Sequence, residues 1–422
     1  MLYTDRSRFK THFKCPFERY LNYHYSGIGI VRSGLSIPLI TGSYAHNGIE
    51  AVLHLVSATN SMPSAKDVRD IVANISSNYT NDFLAAGFTS QEENDRIGYV
   101  IQEQTTLISG LLWSWSVYVL PQVLERYTIL HIEQEMERVV GCTCGLASLG
   151  TVAEHIARDC AGVVVMTRPD IVAESSDTGS VVYIELKTGS RIDSGTFEGD
   201  VQFAFGAAGI ECYTGKPLSE SYVHALSKGY RGMPKTKTDD SFPYQQSSLC
   251  YAYVNQGIAG MVPQDISFKY TSKKGYKRTP VWEIIFKNIP AGVPVEEHYI
   301  SLMDDEELAS HVNILGPYPY PKQQVEEMLI EIQHLEKRID PLYRQIDSEV
   351  ADKGLADPDV QTLLHENIPK GWTCRTYNSI CPYYHICTKL PGWEDPLSIL
   401  DREGKPMYVI RDPNHPIEGS VE

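Results

Sequence analysis

The chain has 422 residues, of which 42% are hydrophobic and 21% are charged, and its formal net charge at pH 7 is −16. This composition allows a globular protein with a large core, in one enlarged domain or in two. The acidic balance argues against indiscriminate binding to nucleic acids, because affinity for DNA comes largely from Lys and Arg side chains that neutralise phosphates. Met1–Arg6 lacks the apolar region of a secretory signal, so we expect an intracellular, cytoplasmic protein in a reducing compartment.

Residues 1–125 are predicted to form a mostly helical N-terminal region. Two amphipathic runs, Ser64–Leu84 and Gln91–Leu120, follow the segment that contains His46. The longest apolar stretch of the chain, Leu107–Leu120, is interrupted by serines and is too short to span a bilayer. It is therefore interpreted as a buried helix, and no membrane partner is expected.

Residues 126–262 are predicted to contain the core of the fold. The strand pattern begins at Ile129–Glu133 and continues through two further runs rich in Val and Ile. A helix that begins near Gln202 and a strand at Ser221–Leu226 come next. This order of strand, strand, helix and strand predicts an α/β fold.

The two runs rich in Val and Ile, Ala161–Ile171 and Val181–Lys187, are separated by the turn residues of Glu174–Gly179. This pattern predicts a β-hairpin. Side chains alternate along a strand, so Glu185 and Lys187 are expected on the same face.

Asp170, in the first run of the hairpin, is expected to meet Glu185. Two carboxylates form a hard-oxygen pocket of the kind that binds Mg²⁺ or Mn²⁺ together with a substrate phosphate. A divalent ion neutralises the charge of a phosphodiester and acidifies a coordinated water, and Lys187 can orient the nucleophile or stabilise developing charge. The alternative is a surface hairpin whose charged side chains are only solvated.

Two runs of basic residues lie in and after the predicted core. Tyrosines are interleaved with them and can stack on unpaired bases. The second run is the tip of a predicted β-hairpin at residues 263–290, and charged hairpin tips are often only solvated, so both interpretations stay open. The candidate nucleic-acid contacts are Lys228, Arg231, Lys273, Lys274, Lys277 and Arg278.

Residues 291–390 are predicted to form a helical C-terminal region. Apolar residues at helical spacing from Val325 to Ile339 mark an amphipathic helix, and Pro341 predicts its end. Residues 391–422 are rich in Pro and acidic residues and are expected to be a loosely attached tail. No motif resembles those of helicases, so strand separation would require a partner or a substrate that is already single-stranded.

The nine cysteines separate into two sets by position. Cys15 lies near the N-terminus, and three cysteines lie close together in the C-terminal region: Cys374, Cys381 and Cys387. The other five are Cys142, Cys144, Cys160, Cys212 and Cys250. Apart from the Cys142-Thr143-Cys144 pair, these five show no ligand spacing and are expected to pack as small apolar side chains.

Pro169-Asp170 followed by Glu185-Leu186-Lys187 resembles the motif of the PD-(D/E)XK nuclease superfamily. Thr41–Glu50, which contains His46, is similar to a helix of the RecB-type branch with the pattern Gly-x-x-x-His-x-x-Ile/Leu-Glu. The run that begins at Gln202 is similar to the Gln-x-x-x-Tyr motif of that branch, but Gly206 stands where the tyrosine is expected.

This resemblance implies a restriction-endonuclease-like mixed-sheet core flanked by helices. The metal ligands that it implies, for Mg²⁺ or Mn²⁺, are His46, Asp170, Glu185 and the backbone carbonyl of Leu186. The catalytic residues that it implies are Asp170, Glu185, Lys187 and Gln202. Lys187 would position the attacking water, and the family chemistry implies products that carry a 5′-phosphate.

Cys15 and the C-terminal trio are similar to the iron–sulfur clasp of AddB-type and CRISPR-associated members of this branch. There, four thiolates hold a [4Fe-4S] cluster that ties the two ends of the domain together, and closing so long a loop restricts the unfolded chain. The spacing departs from the family pattern, because the first cysteine of the trio is expected at Asn378 and stands at Cys374. Zn²⁺ bound by the four cysteines remains a competitor.

These features predict a metal-dependent deoxyribonuclease, most like exonucleases with an iron–sulfur clasp. We expect it to act on DNA that is single-stranded or has free ends, in recombination, repair or replication, with a helicase or recombination protein as a possible partner. Two alternatives stay open. The first is a non-cleaving DNA-binding or assembly component with the same fold, and the second is a zinc-binding structural protein unrelated to nucleases.

Overall fold

The computed structural model describes residues 1–33, 37–85, 101, 104–105, 107–146, 150–189, 192, 195, 197–227, 312–371, 375–376, 379–401 and 404–413. Within these residues the chain is mixed α/β, as predicted, with helices packed around a central sheet. The predicted basic hairpin at residues 263–290 lies outside the described residues.

The elements are numbered here in chain order. The strands are β1 (Leu2–Asp5), β2 (Ile30–Arg32), β3 (Tyr127–Ile132), β4 (Met136–Val140), β5 (Val163–Thr167), β6 (Ile171–Ser175), β7 (Val181–Gly189), β8 (Leu218–Ser227), β9 (Val312–Tyr318), β10 (Arg375–Thr376), β11 (Ser379–Ile380) and β12 (Tyr408–Ile410). The helices are α1 (Arg6–Lys14), α2 (Pro16–Tyr23), α3 (Ile37–Thr59), α4 (Ala65–Ala85), α5 (Leu107–Arg126), α6 (Val152–Ala157), α7 (Val201–Thr214), α8 (Lys322–Lys353), α9 (Pro358–Asn367) and α10 (Tyr384–Cys387).

A five-stranded mixed sheet in the order β3-β6-β7-β8-β9 forms the centre of the molecule. Strands β3, β6 and β7 are antiparallel neighbours, whereas β8 is parallel to β7 and follows it through α7. The predicted order of strand, strand, helix and strand is confirmed. Strand β9 completes the sheet antiparallel to β8, and the sequence pattern does not predict it.

A second sheet of three strands has the order β1-β5-β4. The single strand predicted over Ala161–Ile171 is therefore wrong, because its first part is β5 in this sheet and its end begins β6 in the central sheet. The chain passes between the two sheets at Arg168–Asp170. Pro169 causes the break, since proline has a fixed φ and no N–H for a strand ladder. Asp170 thus lies where the chain enters the central sheet.

The central sheet carries helices on both faces. On one face, α3 and α5 pack against the strands in a cluster that includes Val52, Trp115, Ile184 and Leu186. On the other face, α7 and α8 join the larger core, which also contains α1 and α2. Among the described helices, α5 has the length and apolar composition needed to cross a membrane, and 61% of its most apolar window is buried inside the molecule.

Helix α8 passes through Pro341 and continues to Lys353, so the predicted end of this helix before the proline is wrong. The apolar face continues beyond it with Tyr343, Ile346 and Val350, all of which are buried. Packing of this face offsets the hydrogen bond that a proline removes from the helix interior.

The last described residues pack against the N-terminal region. Strand β12 pairs antiparallel with β2, and Tyr408 is buried with its ring stacked on Tyr383. Arg411 is also buried and donates hydrogen bonds to the carbonyls of Asn22 and Ile28 at 3.1 Å. The prediction of a loosely attached tail from residue 391 is therefore wrong for these residues, because buried aromatic and charged side chains hold them in place.

Helix α8 is joined to the N-terminal region by buried polar contacts. Arg19 Nη2 lies 2.6 Å from Glu336 Oε2, and both side chains are almost completely buried. The hydroxyl of Thr4 donates to the other carboxylate oxygen of Glu336 at 2.7 Å. Helix α8 and the N-terminal region therefore share one core.

Candidate functional site

The edge of the central sheet where β6 begins and β7 ends collects the predicted catalytic residues. Ile171 pairs with Ile184, so Asp170 lies opposite Glu185, where the two strands separate. Lys187 follows on the same face of β7 as Glu185. The structure thus brings Asp170, Glu185 and Lys187 together.

Asp170 is a buried carboxyl group beside other acidic groups. Its Oδ2 accepts a hydrogen bond from the backbone N–H of Leu186 at 2.5 Å, and its Oδ1 lies 3.6 Å from His46 Nδ1. Burial and, next, the charge of Glu185 raise the pKa of Asp170 to about 8. A carboxyl group in this position is expected to ionise more easily when a cation binds beside it.

Glu185 is buried as well, but it is paired within the protein. Its carboxylate accepts hydrogen bonds from the Lys187 ammonium and from the Tyr183 hydroxyl. Burial by itself raises the pKa of Glu185, but Lys187 and Tyr183 outweigh burial and hold it below its usual value. The neighbouring carboxyls Asp170 and Glu185 therefore have opposite shifts, which is a pattern typical of catalytic carboxyl pairs.

Glu133 belongs to the same site, although the sequence analysis does not single it out. It lies at the end of β3, and its backbone N–H donates to the carbonyl of Asp170 at 3.0 Å. Burial and, next, the charge of Asp170 raise the pKa of Glu133 to about 7, while Arg168 at 2.8 Å partly opposes this rise. The only sequence signal was its place at the end of the predicted strand Ile129–Glu133.

His46, Glu133 and Asp170 form the group of ligand atoms at this site. One atom from each, an imidazole nitrogen and two carboxylate oxygens, lies within 4.8 Å of the others. Among the residues that the structure describes, this group does not include Glu185, whose oxygens face Lys187 and Tyr183. The predicted ligands His46 and Asp170 are thus brought together with Glu133, and the predicted role of Glu185 as a metal ligand stays a prediction.

His46 lies inside helix α3, which begins at Ile37. The helix lies close to α5, because a Cβ atom at Gly48 would lie 2.7 Å from a methyl group of Leu112. This close packing holds the His46 side chain at the edge of the central sheet.

Gln202 lies in the first turn of α7, where Asp200 caps the helix by accepting its backbone N–H at 2.9 Å. The side-chain amide of Gln202 donates to the Tyr183 hydroxyl at 3.4 Å. A Cβ atom at Gly206 would lie 2.7 Å from the Tyr183 ring, so a side chain at that position would displace the ring. The departure from the family motif at Gly206 therefore has a local cause, because Tyr183 of β7 fills this space.

The backbone N–H of Leu186 donates a hydrogen bond to Asp170. The predicted role of the Leu186 carbonyl as a metal ligand stays a prediction. The six candidate nucleic-acid contacts lie outside the described residues, and their roles stay predictions too. These residues are Lys228, Arg231, Lys273, Lys274, Lys277 and Arg278.

The four cysteines of the predicted clasp are only partly described. Cys15 is buried, and its Sγ accepts the backbone N–H of Gly371 at 3.2 Å. This contact brings the N-terminal cysteine close to the segment that leads to Cys374, which lies outside the described residues. Cys381 and Cys387 are partly buried and pack against the main core. The cluster therefore stays a prediction.

A second group of possible metal ligands lies beside the three-stranded sheet and consists of Cys142, Cys144, His155 and Cys160. Cys160 is also buried in a small apolar cluster, and Cys142 and Cys144 pack against it, so apolar packing and metal binding are both compatible with these three cysteines. The Cys-x-Cys pair was a visible signal. Its connection to His155 and Cys160 was not, because these residues come together only through the turns between β4 and β5.

A scan of the chain against protein-family models and a search of curated proteins each found no match.

Proposed function

We propose that the protein is a metal-dependent deoxyribonuclease that hydrolyses phosphodiester bonds, with its centre at the edge of the central sheet. One observation carries the proposal. Ligand atoms of His46, Glu133 and Asp170 lie within 4.8 Å of one another, beside the Lys187–Glu185 ion pair. This arrangement combines a cation site with an ammonium group in one cleft.

The arrangement of the strands supports the same proposal. Three antiparallel strands, a crossover helix and a parallel fourth strand are the order expected of a restriction-endonuclease-like core. The acidic residues occur where that fold would place them, at the start of the second strand and within the third. We therefore assign this finer fold class as part of the proposal.

The chemistry of the three ligands fits a divalent cation. Burial is the largest cause that raises the pKa of Asp170 and of Glu133. The next cause is the charge of Glu185 at Asp170 and the charge of Asp170 at Glu133, so an added positive charge would stabilise both carboxylates. Oxygen ligands suit Mg²⁺ and Mn²⁺, and the imidazole of His46 favours Mn²⁺ more than Mg²⁺. When bound, such an ion neutralises phosphate charge and lowers the pKa of water.

The other side chains of the site have separate roles. The Lys187 ammonium, partly exposed and held by Glu185, lies where it can hydrogen-bond a phosphoryl oxygen or the attacking water. Tyr183 and Gln202 hold the Glu185 carboxylate from the other side. Lys187 is therefore a catalytic residue in this proposal, and Tyr183 and Gln202 are positioning residues.

The remaining parts of the proposal follow from the family resemblance. The substrate is DNA that is single-stranded or has free ends, and the setting is recombination, repair or replication in the cytoplasm, with a helicase or recombination protein as partner. The clasp of Cys15, Cys374, Cys381 and Cys387 holds a [4Fe-4S] cluster, with Zn²⁺ as the competing occupant. Brown colour in anaerobically purified protein that is lost in Cys381→Ser separates these two occupants.

End-labelled single- and double-stranded DNA incubated with Mn²⁺ tests the proposal. We expect the wild-type chain to cleave and Lys187→Ala to lose at least about 10²-fold in rate, because the group that stabilises transition-state charge is gone. Lys216→Ala is the matched control, since Lys216 forms an ion pair with Glu174 at the opposite end of the hairpin. An active Lys187→Ala protein contradicts this site, and Mn²⁺ binding without cleavage in the wild type favours the non-cleaving alternative.

A further inference from the structure

Four potential metal ligands converge beside the three-stranded sheet. Cys142 Sγ lies 3.2 Å from Cys144 Sγ, and His155 Nδ1 lies 3.3 Å and 3.4 Å from these two sulfur atoms. Cys160 completes the group, in which all four ligand atoms lie within 4.8 Å of one another. His155 and Cys160 are buried, and the other two are partly buried.

The turn that follows β4 presents the first two cysteines. Gly141 and Gly145 flank residues 142–144 and have left-handed backbone conformations, with φ of +62° and +76°, which glycine adopts without steric cost. Thr143 Oγ1 accepts the backbone N–H of Ala161 at 3.1 Å. This hydrogen bond joins the Cys-x-Cys turn to the segment that leads into β5.

Helix α6 and the turn after it present the other two ligands. The helix begins with a capping box, in which Thr151 and Glu154 exchange hydrogen bonds. After the helix, the N–H of Cys160 donates to the carbonyl of His155 at 3.1 Å. This contact folds the chain back so that the thiol and the imidazole face the Cys-x-Cys turn, and local backbone structure therefore sets the ligand arrangement.

The imidazole of His155 is fully buried, and its Nδ1 faces thiol groups. Its Nε2 has no hydrogen-bond partner among the residues that the structure describes. Thiols are weak hydrogen-bonding groups, and burying a polar group without a strong partner costs free energy. A metal ion at Nδ1 would give that nitrogen a strong partner in place of its weak thiol contacts, and Nε2 would then carry the proton of the neutral imidazole.

We propose that Cys142, Cys144, His155 and Cys160 bind a structural zinc ion. Three thiolates and one imidazole form a common ligand set for structural zinc, and tetrahedral coordination separates such ligand atoms by about 3.5–3.8 Å. The three separations among Cys142, Cys144 and His155, 3.2–3.4 Å, lie close to these values, and the Cys160 ligand atom lies within 4.8 Å of the other three. Thiolates select zinc over Mg²⁺ and Ca²⁺, and four protein ligands leave no open position for a substrate.

The zinc ion holds the connection between β4 and β5 against the sheet. The apolar cluster under this connection is small, and its buried members are Tyr3, Val139, Val152, Cys160 and Val164. A metal ion stabilises a segment that has few apolar contacts of its own. Strand β5 leads directly to Asp170, so the zinc site supports the segment that enters the catalytic edge.

The metal content of the full chain, purified without chelators, tests the zinc site. We expect about one zinc ion per chain at this site, lost in Cys142→Ser and in Cys160→Ser. Cys212→Ser is the matched control, because Cys212 lies in α7 and outside the group. Cys381→Ser is measured in parallel and is expected to keep this zinc, which separates it from any metal in the terminal clasp.

Cobalt substitution in Cys381→Ser protein decides the question if the serine variants of the zinc site fail to fold. Zinc is removed and replaced by Co²⁺, which absorbs strongly in the visible range when thiolates coordinate it tetrahedrally. We expect this absorption, and we expect Zn²⁺ to abolish it. A zinc content that is the same in wild type and Cys160→Ser, or cobalt-loaded protein without thiolate absorption, overturns the proposal. Neither readout depends on cleavage of DNA, so the nuclease assignment stands or fails separately.

Discussion

Glu336 and Asp170 are both buried carboxyl groups, 2% and 8% exposed, but their surroundings differ. Glu336 receives the Arg19 guanidinium at 2.6 Å and the Thr4 hydroxyl at 2.7 Å. Asp170 lies beside Glu185 and Glu133, and burial raises its pKa to about 8. One carboxylate has its counter-charge within the protein, and the other lies among acidic groups, where we propose that an external cation binds.

The comparison separates a buried charge that stabilises the fold, as in Glu336, from a buried charge that is available for function, as we propose for Asp170. A buried ion pair ties elements together, as α2 and α8 are tied here, and has no need of a ligand. Buried carboxyls that face each other cost stability, and such a cost is retained where function needs it. The three predictions that follow change one side of this comparison at a time.

Removal of Arg19 is expected to have the largest effect. Arg19→Ala leaves Glu336 buried without its counter-charge, which should lower the free energy of unfolding by about 3–5 kcal/mol. Urea unfolding measures this change. Arg344→Ala is the control, because Arg344 forms an exposed pair with Asp340 on the same helix and should cost about 0.5 kcal/mol or less.

A double variant sharpens this first test. Arg19→Met with Glu336→Leu removes both charges and should recover most of the lost stability. If Arg19→Ala costs no more than Arg344→Ala, the ion pair does not hold α2 and α8 together as described.

Removal of Glu133 is expected to weaken cation binding while leaving the metal-free fold intact. Glu133→Gln should lower the affinity for Mn²⁺ by at least about 10-fold, the size of effect seen when groups around metal sites are removed. Calorimetric titration measures the affinity. Glu135→Gln is the control, since Glu135 lies two residues further along the chain and outside the ligand group. Equal affinities in the two variants would remove Glu133 from the site.

The pH dependence of stability is expected to give the smallest effect. In the folded, metal-free protein, burial raises the pKa of Asp170 to about 8 and of Glu133 to about 7, so the folded state binds more protons than the unfolded state between the ordinary carboxyl pKa and these values. Stability should therefore fall as pH rises from 6 to 8, by about 1–2 kcal/mol per pH unit. Thermal unfolding in the presence of a chelator measures this.

Addition of Mn²⁺ should reverse the trend, because the ion competes with the protons and stabilises the protein more at pH 8 than at pH 6. Asp170→Asn should flatten the pH dependence of the metal-free protein. Metal-free stability that rises over this range would show that these carboxyls are already paired with positive charge.

The alternation of side chains in β7 was sufficient to predict that Glu185 and Lys187 share a face and meet Asp170. The order of strands and helix around this site was also predictable, because the apolar patterns of strands and helices differ in period. Glu133 was not predictable, because its backbone has a positive φ of 46° and only pairing between β3 and β6 brings it to Asp170.

Other features depend on contacts between distant segments. In the sequence, Pro341 predicts the end of a helix. The apolar face of α8 on both sides of Pro341 packs against one core and keeps the helix continuous. The split of Ala161–Ile171 into two sheets depends on β1, a strand near the N-terminus that pairs with β5. His155 and Cys160 become ligands only because the turn after α6 folds back on itself.

The cleavage of 5′-labelled single-stranded DNA at increasing Mn²⁺ concentration, in the wild type and in Asp170→Asn, tests the central claim most directly. The account predicts cleavage by the wild-type chain that requires the cation and saturates with it, and no cleavage by the variant at any concentration. Cleavage that persists in the chelator, or equal rates in the two proteins, would contradict a cation-dependent centre at Asp170.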